Sequence, residues 1–326
     1  MHLVTGATGL IGSFICREML QAGYSLRATK RKDSNMELVT DIQNQIEWVE
    51  GDVLDIPSLK KSMEGVEGIV HSAAFISYDS RDETYMQKVN VEGTANMVNT
   101  ALATGIDHFL HVSSVAAVGK RPVAEQIDET HEITISDELT GYARSKWLAE
   151  LEVWRGIEEG LPAVMINPSL VLGPGDPDRS STQVFKYIQK ERRFYTDGVV
   201  NYVDVRDVAE VAKRVMDDKL VSERYIINAG SATYKQFFDI IAQAMNKRAP
   251  SIKVNVPLVR WMSRLDTIRT ALTGQPPLVT DELVQVAKNR HTYDNKKIKE
   301  TVSIQFRTLD ETIHWCSEEL AKKSRV

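Results

Sequence analysis

Short runs of β-branched and other apolar residues alternate with longer stretches of helical period through the first half of this chain. That alternation predicts an α/β protein of stacked βαβ units around a parallel sheet. Strands are expected at 2 to 5, 25 to 30, 46 to 50, 68 to 72, 108 to 113 and 163 to 167. Helical patterns run over about 10 to 22, 57 to 63, 83 to 103 and 138 to 159, and each crossover is long enough for a right-handed connection. After Pro168 the texture changes. LGPGDPDRSS is a turn-rich loop, Pro257 opens a segment, and Gly274, Pro276 and Pro277 close it, so a smaller and less regular second unit is expected.

Composition narrows the classes. The 326 residues, 42% hydrophobic and 26% charged, suffice for a sizeable core of one large α/β unit or two domains. Forty Lys+Arg against 45 Asp+Glu give a formal net charge of -5, which offers no global field for nucleic acid or an anionic membrane, so any anion site must be local. Cys16 and Cys316 are the two cysteines and lack metal-ligand spacing. They imply neither a disulfide framework nor a metal site, and a reducing cytoplasm is the expected location. No Lys or Arg precedes Arg17, and glycines interrupt the apolar start, so a signal peptide is not expected there. No uncharged apolar run reaches the ~18 residues of a membrane helix. Leu258 to Leu272 reads as an amphipathic helix, with Trp261 and Met262 on its apolar face, packed on its own domain rather than on a membrane.

Residues 4 to 12 read VTGATGLIG between a strand and a helix. In that context Gly6 allows a tight turn, Gly9 lets backbone N–H groups approach a pyrophosphate, and Gly12 lets the helix pack against the strand. Dinucleotide binding is expected. At the end of the second strand, Lys30, Arg31 and Lys32 arrive where an NAD-binding fold places an acid, which favours the 2′-phosphate of NADP over NAD, with Asp33 the dissenting residue. Asp52, on a strand end in GDVLD, is a candidate partner for the adenine amino group or a turn aspartate.

Reacting groups follow. LTGYARSKWLAE has helical period, so Tyr142 and Lys146 share a face at i and i+4, and a neighbouring ammonium favours the phenolate. Ser114 lies at the end of a strand, on the edge where open α/β folds bind ligands, and its hydroxyl can donate to a carbonyl or alkoxide oxygen; Ser113 is its rival on the opposite face. His108 and His111 point to opposite faces of one strand, so they read as ordinary strand-flanking residues and not as a metal pair. Asp128, Glu129 and Glu132 read as a solvated acidic lid. GxSxG and HExxH are absent.

Together TGATGLIG, GDVLD, HSAA, VNVEGTAN, VSSVAAVG, YARSK, INPSLVLGP and VDVRDVA resemble, in order and spacing over residues 1 to 210, the extended short-chain dehydrogenase/reductase or NAD-dependent epimerase/dehydratase family. The later PPLVTDELV and YDNKKIKE look familiar too. The resemblance is nearest to dihydroflavonol-reductase-like and 3β-hydroxysteroid-dehydrogenase-like members. It implies a Rossmann doubly wound parallel sheet over residues 1–167, with a return contribution from about 196–228, and a mainly substrate-binding domain over 168–326. It implies a catalytic set of Ser114, Tyr142 and Lys146, supported by Asn90. It further places Gly6, Thr8, Gly9, Leu10, Ile11 and Gly12 around the pyrophosphate, Arg31 on the 2′-phosphate, and Asp52 with Val53 on the adenine. Ser72, Ala73 and Ala74 would line the nicotinamide side, Pro168 with Leu170 the carboxamide region, and Tyr142 with Lys146 the nicotinamide ribose.

Three departures mark the chain. Plant-type reductases often carry a lysine where Glu37 and Leu38 stand here, which weakens the NADP assignment. INPSLVLGP replaces the Asn-Val-Tyr-Gly-Pro pattern of nucleotide-sugar members, and TVSIQF replaces a Leu-Gly-aromatic turn. The expected function is an NADP(H)-dependent oxidoreductase acting on a small carbonyl or alcohol. The alternatives are a nucleotide-sugar epimerase or dehydratase and a non-catalytic NAD(P)-sensing protein. The resemblance also implies a homodimer through the helices at 83 to 103 and 138 to 159. A pocket is expected between loops 75 to 82, 115 to 132 and 170 to 204; Phe75, Ile76, Val118, Leu170 and Tyr202 either make it partly apolar or belong to the core.

Overall fold

The computed structural model describes residues 1–77, 79–120, 126–133, 139–176, 180–254 and 290–323. Its apolar runs form β1 (His2–Thr5), β2 (Leu26–Lys30), β3 (Ile46–Glu50), β4 (Gly68–His71) and β5 (His108–Val112), with β6 (Gln126–Ile127) set apart and β7 (Ala163–Pro168) returning to the sheet. β11 (Arg224–Ile227) completes seven parallel strands in the order β11-β7-β5-β4-β1-β2-β3. β4, β5 and β7 are buried at every position, because helices cover both faces.

Period two divides the core. Val4, Leu110 and Val164 face the layer of α1 (Leu10–Gln21) and α7 (Val205–Asp217), which pack on each other. Leu3, Phe109 and Met165 face α4 (Gly93–Thr104) and α5 (Gly141–Glu158), joined by α2 (Ile56–Ser62).

The stretch expected as one helix over 83 to 103 is divided into α3 (Glu83–Gln87), a π-helical turn at Lys88–Glu92, and α4. The wide turn coincides with a polar demand and a steric one. The Asn90 side chain is turned onto the loop after β4, and Gly93 sits so close to Val53 that a Cβ would lie 2.6 Å from its Cγ2.

A second, smaller layer follows Pro168. β10 (Val199–Asp204) lies between β8 (Leu170–Leu172), in parallel, and β12 (Gly230–Thr233), antiparallel. α6 (Gln183–Gln189), α8 (Tyr234–Ala244) and the C-terminal α10 (Leu309–Lys323) bury Phe185, Phe237, Ile241 and Ile313 against that sheet. β9 (Phe194–Thr196) pairs with β13 (Ile252–Val254), and β14 (Thr292–Tyr293) pairs with β6. α9 (Lys296–Val302) ends at Ser303, which takes the left-handed conformation (φ 52°) in the turn that replaces the family's glycine pattern. The second half thus supplies α7 and β11 to the main layers as well as its own sheet. The segment 258 to 272 and the PPLVTDELV stretch lie outside the described residues. Among the described residues, no helix is long and apolar enough to cross a membrane.

Candidate active site

The strand order places β1 between β2 and β4, so successive connections leave β1 in opposite directions and open a crevice at the carboxyl ends of these strands. Because the sheet is parallel, the turns after β1, β2, β3, β4, β5 and β7 all reach that edge. Every residue expected to touch cofactor or substrate from the first half lies on one of these turns or on the helix ends beside them.

The turn after β1 has the shape a pyrophosphate needs. Gly6 takes φ 68°, and a Cβ there would lie 2.7 Å from the backbone of Ser72 and Ala73. Gly9 is exposed and N-caps α1 without a side-chain cap, and its N–H donates to the Gly6 carbonyl at 2.9 Å. The first N–H groups of α1 therefore point outward past a residue with no side chain, and the helix dipole adds positive potential there. A Cβ on Gly12 would meet the Gly6 carbonyl oxygen at 2.3 Å, which fixes the close approach of helix to strand. These residues fit a dinucleotide.

After β2, Lys30 is half-buried, while Arg31, Lys32 and Asp33 are exposed. The turn is tied by the Arg31 N–H to Ser34 Oγ at 2.9 Å and by the Ser34 N–H to the Arg31 carbonyl at 3.0 Å. Arg31 makes no ion pair among the described residues. After β3, Asp52 Oδ1 accepts from the Leu54 N–H at 2.9 Å, so this carboxylate closes a turn, while the buried Val53 gives its carbonyl to Asn96 Nδ2 at 3.0 Å. After β4, the Ser72 and Ala73 N–H groups are anchored on the carbonyl and Oγ1 of Thr5, at 3.2 and 3.3 Å, and Ala74 is exposed. Pro168 ends β7, and Leu170 opens β8 opposite Tyr202.

Ser113 and Ser114 separate as period two requires. Ser113 is buried, whereas Ser114 is half-buried, and its Oγ accepts from the Ala116 N–H at 3.2 Å to cap a short 3-10 turn. Accepting leaves the hydroxyl proton available for another oxygen. α5 starts beside it because Thr140 N-caps the helix, its Oγ1 accepting from the Ala143 N–H at 3.2 Å. That start puts the half-buried Tyr142 in the first turn, and α5 packs on the Ser114 turn. Lys146 is only 2% exposed, so the pair is no surface pair. Its Nζ donates to the Val112 carbonyl at 3.1 Å, two residues before Ser114, and burial pulls its pKa down to about 8 against the opposing charge of Glu150.

The glycine turn after β1, the basic turn after β2, Ser114, Tyr142 and the buried Lys146 lie towards one edge of the sheet. A family model for the NAD dependent epimerase/dehydratase family matches residues 2–230. The chain belongs to that family. An NAD(P)-dependent reductase or dehydrogenase of the extended short-chain type is therefore the enzyme in hand. Among its relatives, a Synechocystis protein named as a candidate dihydroflavonol 4-reductase is 28% identical over 323 residues, covering 96% of this chain and 93% of its own. Cinnamoyl-CoA reductase 1 of Oryza sativa is 31% identical over 240 residues, or 68% of this chain and 69% of that one. The solved structure of gox2253 superposes with a TM-score of 0.86 at 28% identity, covering 100% of this chain and 99% of that chain.

Within this family member, Asn90 is buried and holds parts together. Its Oδ1 accepts from the Phe75 N–H at 2.8 Å, and its Nδ2 donates to the Phe75 carbonyl and to Ser145 Oγ, both at 2.9 Å. The turn after β4 is thereby fastened to α5 one residue before Lys146.

Several residues of this arrangement are not singled out by sequence reasoning. His71 is fully buried, bridging Thr5 Oγ1 (2.8 Å) and Thr94 Oγ1 (3.1 Å), and burial, then Lys146, hold its imidazole down to about 3. His111 lies beside it at 5.2 Å between ring centroids and is held well below the usual range by the same causes. Glu150 and Asn167 are buried under the Ser114 turn and hydrogen-bonded to each other. The signal for them is present in α5. Its buried stripe runs through Ala143, Lys146, Ala149, Glu150 and Val153, so two charges stand in an apolar stripe.

One expectation is corrected, and three further residues are located. Glu129 is not part of a solvated lid: its Oε1 accepts from the Ile226 N–H at 2.9 Å, its carbonyl takes Arg224, and burial raises its carboxyl pKa. Val118 is core, packed with Ile127, Ile226 and Tyr293, and does not line a pocket. His108 and His111 are interior to β5, where His108 reaches Met216 and the Leu220 carbonyl on the α7 side. Phe75 packs edge-to-face on Tyr85 and Ile76 is exposed, while Leu170 and Tyr202 pack against the C-terminal core.

Proposed function

We propose that this enzyme reduces a small aldehyde or ketone with NADPH and, in reverse, oxidises the corresponding alcohol. The observation that carries the reading is the buried Lys146 one turn beyond Tyr142, on a helix packed against the Ser114 turn. Bound NADPH supplies the hydride. Ser114 donates its free hydroxyl proton to the carbonyl oxygen and fixes its position. Tyr142 gives its phenolic proton to the nascent alkoxide, and the Lys146 ammonium stabilises the phenolate left behind. Asn90 keeps the turn after β4 and α5 at constant separation, so these groups converge without reorganisation.

The preference for NADPH rests on Arg31 and Lys32, exposed at the end of β2 with no acidic residue in their place. Relatives named as reductases and the INPSLVLGP stretch favour reduction over sugar epimerisation. Replacing Tyr142 with Phe is expected to leave NADPH affinity within a few-fold while lowering kcat by about 10²–10⁴. Calorimetry and a steady-state assay read the two quantities, and undiminished turnover would remove Tyr142 from the chemistry.

A further inference from the structure

Glu150 is 1% exposed and stands one helical turn beyond Lys146 on the same stripe of α5. Groups from every element packed around its carboxyl face it. Asn167 on β7 donates an Nδ2 hydrogen and Arg224 on β11 approaches at 3.4 Å. Burial raises the Glu150 carboxyl pKa, and Ser113 at the end of β5, Arg224, Asn167 and Lys146, one turn back on α5, oppose that rise. Asn167 uses both hydrogens of one amide nitrogen, the second going to the Ser114 carbonyl at 3.0 Å. The carboxyl is thus held in place from two strands directly beneath the serine turn.

Lys146 has different company on its other sides. Across β4 and β5 it faces His71 and His111, both fully buried and held neutral by burial and by the ammonium itself. The titratable residue one turn before it on α5 is Tyr142. Among the described residues, Glu150 is therefore the carboxylate acting on that cation. A buried ammonium without an anion tends to shed its proton.

We propose that Glu150 is a positioning residue: its carboxylate, fixed by Asn167 and Arg224, faces Lys146 and keeps that side chain cationic in its buried seat. The catalytic meaning of that charge rests on the oxidoreductase reading above; the electrostatic arrangement does not. Arg224 also hydrogen-bonds the Glu129 and His131 carbonyls, so it has anchors besides Glu150 when that residue is neutralised.

The test is an NMR titration of the Lys146 side chain in full-length protein carrying isotope-labelled lysine, the signal being assigned by its loss in Lys146→Met. Glu150→Gln can still accept from Asn167 and removes only the charge. It is expected to lower the Lys146 midpoint by about one pH unit. Glu150→Asp keeps the charge but withdraws it by one methylene, and a smaller fall in the same direction is expected. An unmoved or raised midpoint in Glu150→Gln overturns the proposal. If that variant does not fold, an unmoved midpoint in Glu150→Asp does so. No turnover enters this readout, so a wild-type enzyme unable to reduce any carbonyl would defeat the oxidoreductase reading and leave the titration to decide this one.

Discussion

A Cβ on Gly12 would collide with the carbonyl oxygen of Gly6 at 2.3 Å and with the Ala7 Cα at 2.9 Å, both rigid backbone. On Gly9 it would meet only the Gly6 carbonyl oxygen, at 3.3 Å, on an exposed surface with φ -84°. The two glycines of one motif therefore serve different ends. Gly12→Ala is expected to destabilise the fold by about 1–3 kcal/mol, whereas Gly9→Ala leaves stability nearly unchanged and weakens dinucleotide binding about tenfold or more. Thermal melts and calorimetry on both variants check the split; equal losses of stability would refute it. Ser114, Tyr142 and Lys146 stand out in the sequence through their order after the glycine turn and through the family resemblance. Glu150 does not, since a carboxylate on a helix reads as solvated until its face is known to be buried.

Among the elements, the π-helical turn between α3 and α4 has the most direct bearing on the site. Asn90 there makes three hydrogen bonds that tie the turn after β4 to α5. Asn90→Ala leaves the Phe75 amide group and the Ser145 hydroxyl short of partners, a loss of about 2–4 kcal/mol in stability. With Phe75 released, kcat is expected to fall more than NADPH affinity, because the phosphate loop hangs on Gly6 and α1 instead. Denaturant melts and steady-state kinetics test this, and a variant with wild-type kcat would show that the fastening is structural only. The strands of the first half follow from apolar runs bounded by turn residues, and their ends agree within a residue or two with the sequence reading. The π turn could not be read in that way: VNVEGTAN has unbroken helical period, and the interruption answers contacts with Val53 and Phe75 that are remote in sequence. The smaller sheet is illegible for a similar reason, as β8 and β12 are short and the pairing of both with β10 is set by packing against α8 and α10.

The whole molecule wraps its reactive edge around a buried polar centre, which gives stability a pH dependence. An unfolded histidine titrates near 6.5, whereas His71 is held down to about 3 and His111 well below its usual value. Below about pH 6.5 the unfolded chain takes up protons that the folded chain does not. The stabilisation is full above that pH and is lost on acidification, by up to about 1.4 kcal/mol per pH unit for each histidine. Among the described residues neither ring nitrogen of His111 has a hydrogen-bond partner, so His111→Leu is expected to flatten the fall in stability between about pH 6.5 and pH 5, and an unchanged slope would contradict that assignment. At this scale, too, the second half became intelligible only in three dimensions: it adds β11 and α7 to the first half's layers, a return that only the family resemblance had indicated. The central claim is net hydride transfer from NADPH to a carbonyl carbon. Its most direct test is incubation with NADPH deuterated at the reactive nicotinamide carbon and a panel of aldehydes and ketones, with mass spectrometry of the products. One deuterium on the carbinol carbon is expected for each NADPH oxidised. An isomerised or dehydrated product, with the cofactor recovered unchanged, would contradict it.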